Sequence, residues 1–346
     1  MKNNVTSRIL RIVSVFALTA IGFANAAAQG QPLFAFAVNN ASTFWMQGLA
    51  GTLQAEKDFG VKVEFYMTPN ASIEGQKSFI ESMVAKGAKG FGLSIIDPEG
   101  STPFLNEVAK KVPVILTDSD APKSDRIAYV GPSNYKAGRV CGQKIREQIP
   151  SGGKIAIFVG RMDSQNAIER RQGIIDELGG KPMADYYPGT MTPNTQNIKI
   201  GKWTIIDTKT DNADESRAKA NVEDVLIKNK DVALLTGLWS YNTPAIISAM
   251  KDANKLGKIK IVGFDDDDVT LQAVKDGYVA GSIVQDPYQF GYKCIELLYK
   301  LNAKKDAGIP ANKMVDVPVK WVTKDGVDQL MKVTKEHLDA ANAAKK

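Results

Sequence analysis

The sequence predicts an α/β chain built as two Rossmann-like lobes with parallel central sheets. Three observations carry that expectation. Short β-branched runs alternate with helical repeats along almost the whole chain, the pattern of parallel sheets covered by helices on both faces. The 346 residues exceed what one ordinary core organises and suit two α/β units. Polar clusters follow the carboxyl ends of several apolar runs, the edge at which open α/β sheets bind ligands.

The chain opens on a secretory signal. Lys2, Arg8 and Arg11 precede an apolar run from Ile12 to Phe23 and the small-residue triplet Ala24-Asn25-Ala26. Cleavage is expected after Ala26, leaving a protein free in an extracytoplasmic space. A run of twelve residues is too short to span a hydrocarbon core, and no cysteine follows it to carry a lipid. Hydrophobic residues make up 44% and charged residues 24%, the balance of a soluble globular protein. The formal charge is +6, but taking those three signal residues from the 44 basic ones leaves 41 against 38 acidic. With no dense basic patch either, nothing points to nucleic acid.

From Pro32 to Ile127 the reading is strand 33–38, a helix with Met46, Leu49, Ala50 and Leu53 on one face, and strand 61–66. A helix from Ile73 to Lys86, strand 90–95, helix 102–110 and strand 112–116 follow. A second series begins after Tyr129-Val130-Gly131, an expected crossing between lobes. It runs as helix 137–148, strand 154–159, helix 166–178, a Pro-, Asn- and Thr-rich surface excursion over 180–202, strand 204–207, helix 215–228, strand 232–238 and helix 244–256. Lys260 to Tyr292 is the pivot. Strand Ile261-Val262-Gly263-Phe264 ends at Asp265 to Asp268, and a helix closing at Gly277 leads to a strand that ends at Gln285-Asp286-Pro287. Helix 288–301, strand 315–319 and a helix from Gly326 to about Ala344 complete the chain.

The pivot is similar to the pentose/hexose-binding branch of the periplasmic sugar-binding proteins. There a Gly-Phe-Asp strand end, a helix, a Gly and a strand ending in Gln lie near the last crossing between lobes. The resemblance extends over nearly the whole mature chain and implies the type I periplasmic binding protein fold, two lobes joined by a three-strand hinge. It assigns 27–131 with 286–309 to one lobe, 132–285 with 310–325 to the other, and 326–346 to a terminal helix and tail. The third crossing is then expected near Ile309-Pro310.

Candidate ligand-binding residues follow. Phe44 and Trp45, after the first strand's loop, resemble the family's Phe-Phe pair and offer a flat apolar face to a sugar ring. Asn39 and Ser42 in that loop suit hydroxyls, although turn chemistry also favours them. Asp118 ends the strand PVILTD at the family's Asp position, and a carboxylate there accepts hydroxyl hydrogen bonds. The family's ribose binders carry Arg directly after that Asp, whereas this chain has Ser119. In NAIERRQG, Arg170 stands three residues before Gly173, where the family places a ligand-contacting Arg; Arg171 is expected to be solvated. In the loop LWSYNTP one of Trp239, Tyr241 and Asn242 should reach the cleft, where family members often use an Asn, and the choice between Tyr241 and Asn242 stays open. Asp265 matches the second family carboxylate and Gln285 the amide near the last crossing. Asp266 to Asp268 lack calcium-loop spacing and read as a solvated helix start.

Enzyme chemistry is poorly served. The single histidine, His337, lies in the C-terminal helix, and no C-x-x-C, H-E-x-x-H, Walker or G-x-S-x-G motif occurs. No metal or cofactor is expected. Cys141 and Cys294 fall in helices of different lobes and read as two half-buried free thiols. The expectation is therefore a monomeric solute receptor that closes on a sugar or polyol and meets the membrane permease of an ABC importer. The alternative in the same fold is a receptor for a non-sugar solute, a polyol or quorum signal, feeding chemotaxis or signalling. A transcriptional regulator core is disfavoured because a signal segment stands where DNA-binding helices would be.

Overall fold

The computed structural model describes residues 30–344 apart from 70 and 185. The expected signal segment lies outside the described residues. The first series folds as β1 (Leu33–Ala37), α1 (Thr43–Phe59), β2 (Lys62–Tyr66), α2 (Ile73–Ala85), β3 (Phe91–Leu93), α3 (Pro98–Ala109), β4 (Val114–Thr117) and β5 (Ala128–Gly131). The second comprises α4 (Asn134–Gln148), β6 (Gly153–Val159), α5 (Gln165–Leu178), β7 (Ile198–Ile200), β8 (Trp203–Thr210), α6 (Glu215–Lys228), β9 (Val232–Gly237), α7 (Asn242–Asp252), β10 (Lys260–Phe264), α8 (Asp268–Lys275) and β11 (Ser282–Val284). Then come α9 (Pro287–Asn302), β12 (Met314–Asp316), β13 (Lys320–Val322) and α10 (Lys324–Ala344).

Two sheets result. One runs β12-β5-β4-β3-β1-β2, parallel throughout. The other runs β13-β11-β10-β9-β6-β8-β7, antiparallel only where β7 meets β8 and β13 meets β11. The central strands are buried on both faces, with Phe34, Ala35, Phe36 and Ala37 of β1 all at 0% exposure. That burial explains why they read as continuous apolar runs rather than alternating ones. Asp286 caps α9 by accepting from the Gln289 amide, with Pro287 in the first turn, where a missing N–H costs nothing.

Four expectations need correction. The third crossing lies at 317–319, not near Ile309-Pro310, because β12 pairs with β5 of the first sheet and only β13 joins the second. The expected strand 315–319 ends at Asp316, residues 317–319 around Pro318, which cannot donate to a ladder, belong to no strand, and β13 starts only at Lys320. Arg171 is not solvated. Fully buried, it donates to Thr208 Oγ1 at 3.0 Å and to the carbonyls of Thr192 and Pro193 at 2.7 and 3.1 Å, pinning the 180–202 excursion to α5. Cys141 in α4 and Cys294 in α9 are free as expected, but both are fully rather than half buried.

Candidate functional site

The carboxyl ends of both sheets face one another across a narrow cleft lined by Asn39, Asn40, Ser42, Phe44, Trp45, Asp118, Asn166, Arg170, Trp239, Ser240, Tyr241, Asp265 and Gln285. Nine of the ten residues singled out from sequence are among them. The tenth, Asn242, stands behind the cleft. Its Oδ1 accepts from the Trp239 amide and its Nδ2 donates to Asp211, each at 3.0 Å, so its whole amide braces the 239–242 loop. Tyr241 presents the cleft wall instead, with its hydroxyl donating to the other Asp211 oxygen.

The first lobe supplies an aromatic corner. Phe44 and Trp45 open α1 and meet edge to face at 5.0 Å, and the Trp45 indole N–H donates to Asn39 Oδ1 at 3.0 Å. The ring is therefore held in one orientation before any ligand arrives. Both residues also belong to the first lobe's apolar core, so the packing and recognition readings hold together.

Two carboxylates stand opposite one another. Asp118 follows β4 at φ 56° and Asp265 follows β10 at φ 62°. Asp tolerates this left-handed region better than most residues, and such conformations gather at functional sites. Asp118 Oδ2 accepts from Ser94 at 3.1 Å and Asn39 at 3.4 Å, within its own lobe. Its Oδ1 reaches across the cleft, accepting from Asn166 Nδ2 at 3.1 Å and lying 3.5 Å from Arg170 Nη2. Burial raises its pKa, opposed by the Arg170 charge and these hydrogen bonds. Asp265 Oδ1 accepts from Gln285 Nε2 at 2.9 Å. Burial pushes its carboxyl up to about 7, against the opposing charge of Arg170.

Arg170 is built in from three sides. Its Nε donates to Asn134 Oδ1 at 2.8 Å, its Nη1 to the Leu238 carbonyl at 2.8 Å, and its guanidinium lies 4.6 Å from the centre of the Phe264 ring. A Cβ on Gly138 would stand 2.1 Å from the Arg170 carbonyl oxygen, so α4 and α5 approach as closely as they do only through that glycine. The remaining nitrogen, Nη2, points at the cleft.

Sequence reading missed Asn40, Asn166 and Ser240 as lining residues, and it expected one residue of the Trp239, Tyr241, Asn242 set at the cleft where the structure places both Trp239 and Tyr241. Asn166 had a signal, since it lies four residues before Arg170 and so on the same face of α5. Trp239 owes its place to Gly160, where a Cβ would fall 1.9 Å from the indole. Asp266 also departs from expectation: it is 5% exposed, not solvated. It accepts from Gln47 Nε2 of α1 and Thr334 Oγ1 of α10, while Asp267 takes the helix-capping role by accepting from the Val269 amide.

Four buried polar atoms on the cleft residues make no hydrogen bond to the described residues: Asn166 Oδ1, Arg170 Nη2, Trp239 Nε1 and Gln285 Oε1. Two are donors and two acceptors. No group of three His, Cys, Asp or Glu among the described residues could hold a metal ion.

Comparison with known proteins agrees with this geometry. A ribose import binding protein of Haemophilus influenzae is 24% identical over 313 residues, 88% of this chain and 98% of that protein. A solute-binding protein from Burkholderia graminis, solved in complex with D-arabinose, superposes with a TM-score of 0.76 at 24% identity, covering 86% of this chain and 97% of its own. One from Agrobacterium vitis with bound D-fucose gives 0.74 at 24% identity, with 87% and 99% covered. These likenesses establish the fold. The family described as the periplasmic binding protein domain matches residues 34–306, most of the chain. The protein therefore belongs to the periplasmic binding protein domain family, a family of binding proteins rather than enzymes.

Proposed function

We propose that the mature chain is a periplasmic receptor that binds a monosaccharide between its lobes and delivers it, as a monomer, to the permease of an ABC importer. The observation that carries this reading is the set of four buried polar atoms that make no hydrogen bond, Arg170 Nη2 being held only by the charge of Asp118 at 3.5 Å, beside an aromatic corner and two carboxylates. Leaving a buried donor or acceptor unpaired costs about 1–3 kcal/mol, and a ring with several hydroxyls answers all four at once. The space between the cleft walls is about 30 Å³, room for roughly two or three waters at about 10–15 Å³ each. A sugar ring therefore enters only when the lobes part, and the lobes close again because only the closed form lets both contact it.

The sugars named for the relatives, ribose, D-arabinose and D-fucose, support a monosaccharide. Ribose is the disfavoured member. Ser119, where the family's ribose binders carry Arg, is fully buried and adds no cation to the cleft. The test is native mass spectrometry of the purified mature protein for a co-purified small molecule, followed by calorimetry with D-arabinose, D-fucose, D-xylose and D-ribose. A Kd below about 1 mM, more favourable than about −4 kcal/mol, is expected for at least one pentose or deoxyhexose. Detection of a non-sugar ligand, or of altered sugar on prolonged incubation, defeats the reading.

A further inference from the structure

α10 is one amphipathic helix divided between two lobes. Its first half sets Val327, Leu330 and Met331 against the outer core of the second lobe, in the cluster that holds Leu271 and Val274 of α8. Its second half lays Ala341 on Leu49 and Ala50 of α1 in the first lobe. The family match ends at residue 306, short of this helix.

Where the halves meet there is a buried polar knot. Asp266 of the second lobe accepts from Gln47 Nε2 of the first at 3.1 and 2.9 Å, and from Thr334 Oγ1 of α10 at 2.8 Å. Gln47 and Thr334 are 4% and 3% exposed, so these bonds are shielded from water on every side. One turn on, His337 stacks on the ring of Tyr288 at 4.1 Å, and its Nδ1 lies 3.5 Å from Gln47 Oε1. Tyr288 is the second residue of α9, directly after the Gln285-Asp286 crossing.

We infer that α10 is a strap that holds the two lobes closed, with Asp266 as its lock. The inference rests on the hinge motion proposed above. When the lobes part, Gln47 leaves with the first lobe while Asp266 stays with the second. α10 is a rigid helix, and a single residue separates it from β13 in the second sheet. It therefore stays with the second lobe, keeping the Thr334 bond, and gives up its contacts with Ala50, Gln47 and Tyr288. Because Asp266 adjoins Asp265, the lock also steadies one wall of the cleft. The strap biases the unliganded protein toward closure, and ligand release has to work against it.

The test uses the full mature chain with spin labels on Ala41→Cys and Glu215→Cys, two exposed positions at one mouth of the cleft. The native Cys141 and Cys294 are fully buried and escape labelling. Pulsed dipolar spectroscopy without sugar is expected to show one short distance in the parent. Gln47→Leu, which removes the donor that leaves with the first lobe and keeps much of the volume, is expected to raise the open-to-closed ratio about tenfold, the worth of one hydrogen bond to a buried carboxylate. Thr334→Val, whose lost bond is present in the open and closed forms alike, keeps the parent distribution. His337→Ala, which removes the stacking of α10 on Tyr288, opens the lobes as well and covers the case of a Leu variant that fails to fold. A parent already open without sugar, or a Leu variant indistinguishable from the Thr334→Val variant, overturns the strap. Adding D-arabinose separates the two ideas: if no sugar changes any distance while the ligand-free variants differ as expected, the proposed ligand is wrong and the strap stands.

Discussion

Asp118 and Asp265 hold the same place in two halves of one architecture. Counted outward through the two sheets, β1, β2, β3, β4 and β5 correspond to β6, β8, β9, β10 and β11, and each carboxylate follows the fourth pair in a left-handed turn. Their surroundings differ. Asp118 is met by Ser94 and Asn39 from its own lobe and by Asn166 and Arg170 from the other. Asp265 takes a single side-chain hydrogen bond among the described residues, from Gln285, and its carboxyl is pushed up to about 7. Duplicated backbone thus sets where a carboxylate stands, while the unshared neighbours set its charge. Asp118 is a prearranged acceptor. Asp265 has capacity left for ligand hydroxyls, whose donation favours its ionised form.

The largest way to break that comparison is to remove what the two halves share. Arg170 lowers the pKa of both carboxylates. Arg170→Met keeps much of the volume and leaves two buried acids without their cation, so monosaccharide affinity is expected to fall by about 3–5 kcal/mol. Arg170→Lys should not restore it, since a point charge cannot meet Asn134, the Leu238 carbonyl and the Phe264 ring together. Calorimetry checks both. Full affinity in the Lys variant would show that charge alone matters and that the planar fork is incidental.

Next come the carboxylates themselves. Asp118→Asn and Asp265→Asn are each expected to weaken sugar binding by about 1.5–3 kcal/mol. Their effects on the unliganded protein should have opposite signs. At pH 8, Asp118→Asn breaks a satisfied network and lowers the melting temperature, whereas Asp265→Asn removes a poorly compensated buried charge and raises it. Thermal denaturation of both variants decides the matter, and shifts of the same sign would mean that the two sites are electrostatically alike.

How much of this was visible in the sequence divides along the same line. Strand and helix order follow from local periodicity, and the family resemblance placed Asp118, Arg170, Asp265 and Gln285 at strand or helix positions that do converge on one cleft. What stayed hidden depends on partners far away in the chain. Asp266 read as a solvated helix start because Gln47, 219 residues distant, and Thr334, 68 distant, are not local signals. Arg171 read as solvated because the 180–202 excursion that covers it has no periodic pattern. Asn242 and Tyr241 are adjacent in sequence and both donate to Asp211, 31 and 30 residues away, and Asn242 is held behind the cleft by accepting from the Trp239 amide as well.

The smallest expected effect isolates Asp265 by its titration. Its pKa is raised from 3.8 to about 7 in the folded protein, mainly by burial. Between those values the folded chain holds a proton that the unfolded chain has released. Its contribution is therefore most favourable below about pH 4 and declines as pH rises toward about 7, above which both states are ionised and the slope ends. Other buried acids with raised pKa values, Glu169 at about 7 among them, slope in the same direction. The informative quantity is thus the difference between the parent and Asp265→Asn. Melting temperatures measured without sugar from pH 4.5 to 8 should diverge steadily, the parent falling faster up to about pH 7, and then run parallel. Saturating sugar should shrink the divergence, because hydroxyls donating to the carboxylate stabilise its ionised form and draw its pKa back down. Parallel curves across the whole range would show that Asp265 titrates as an ordinary carboxylate, and the contrast between the two halves of the cleft would then lie in geometry alone.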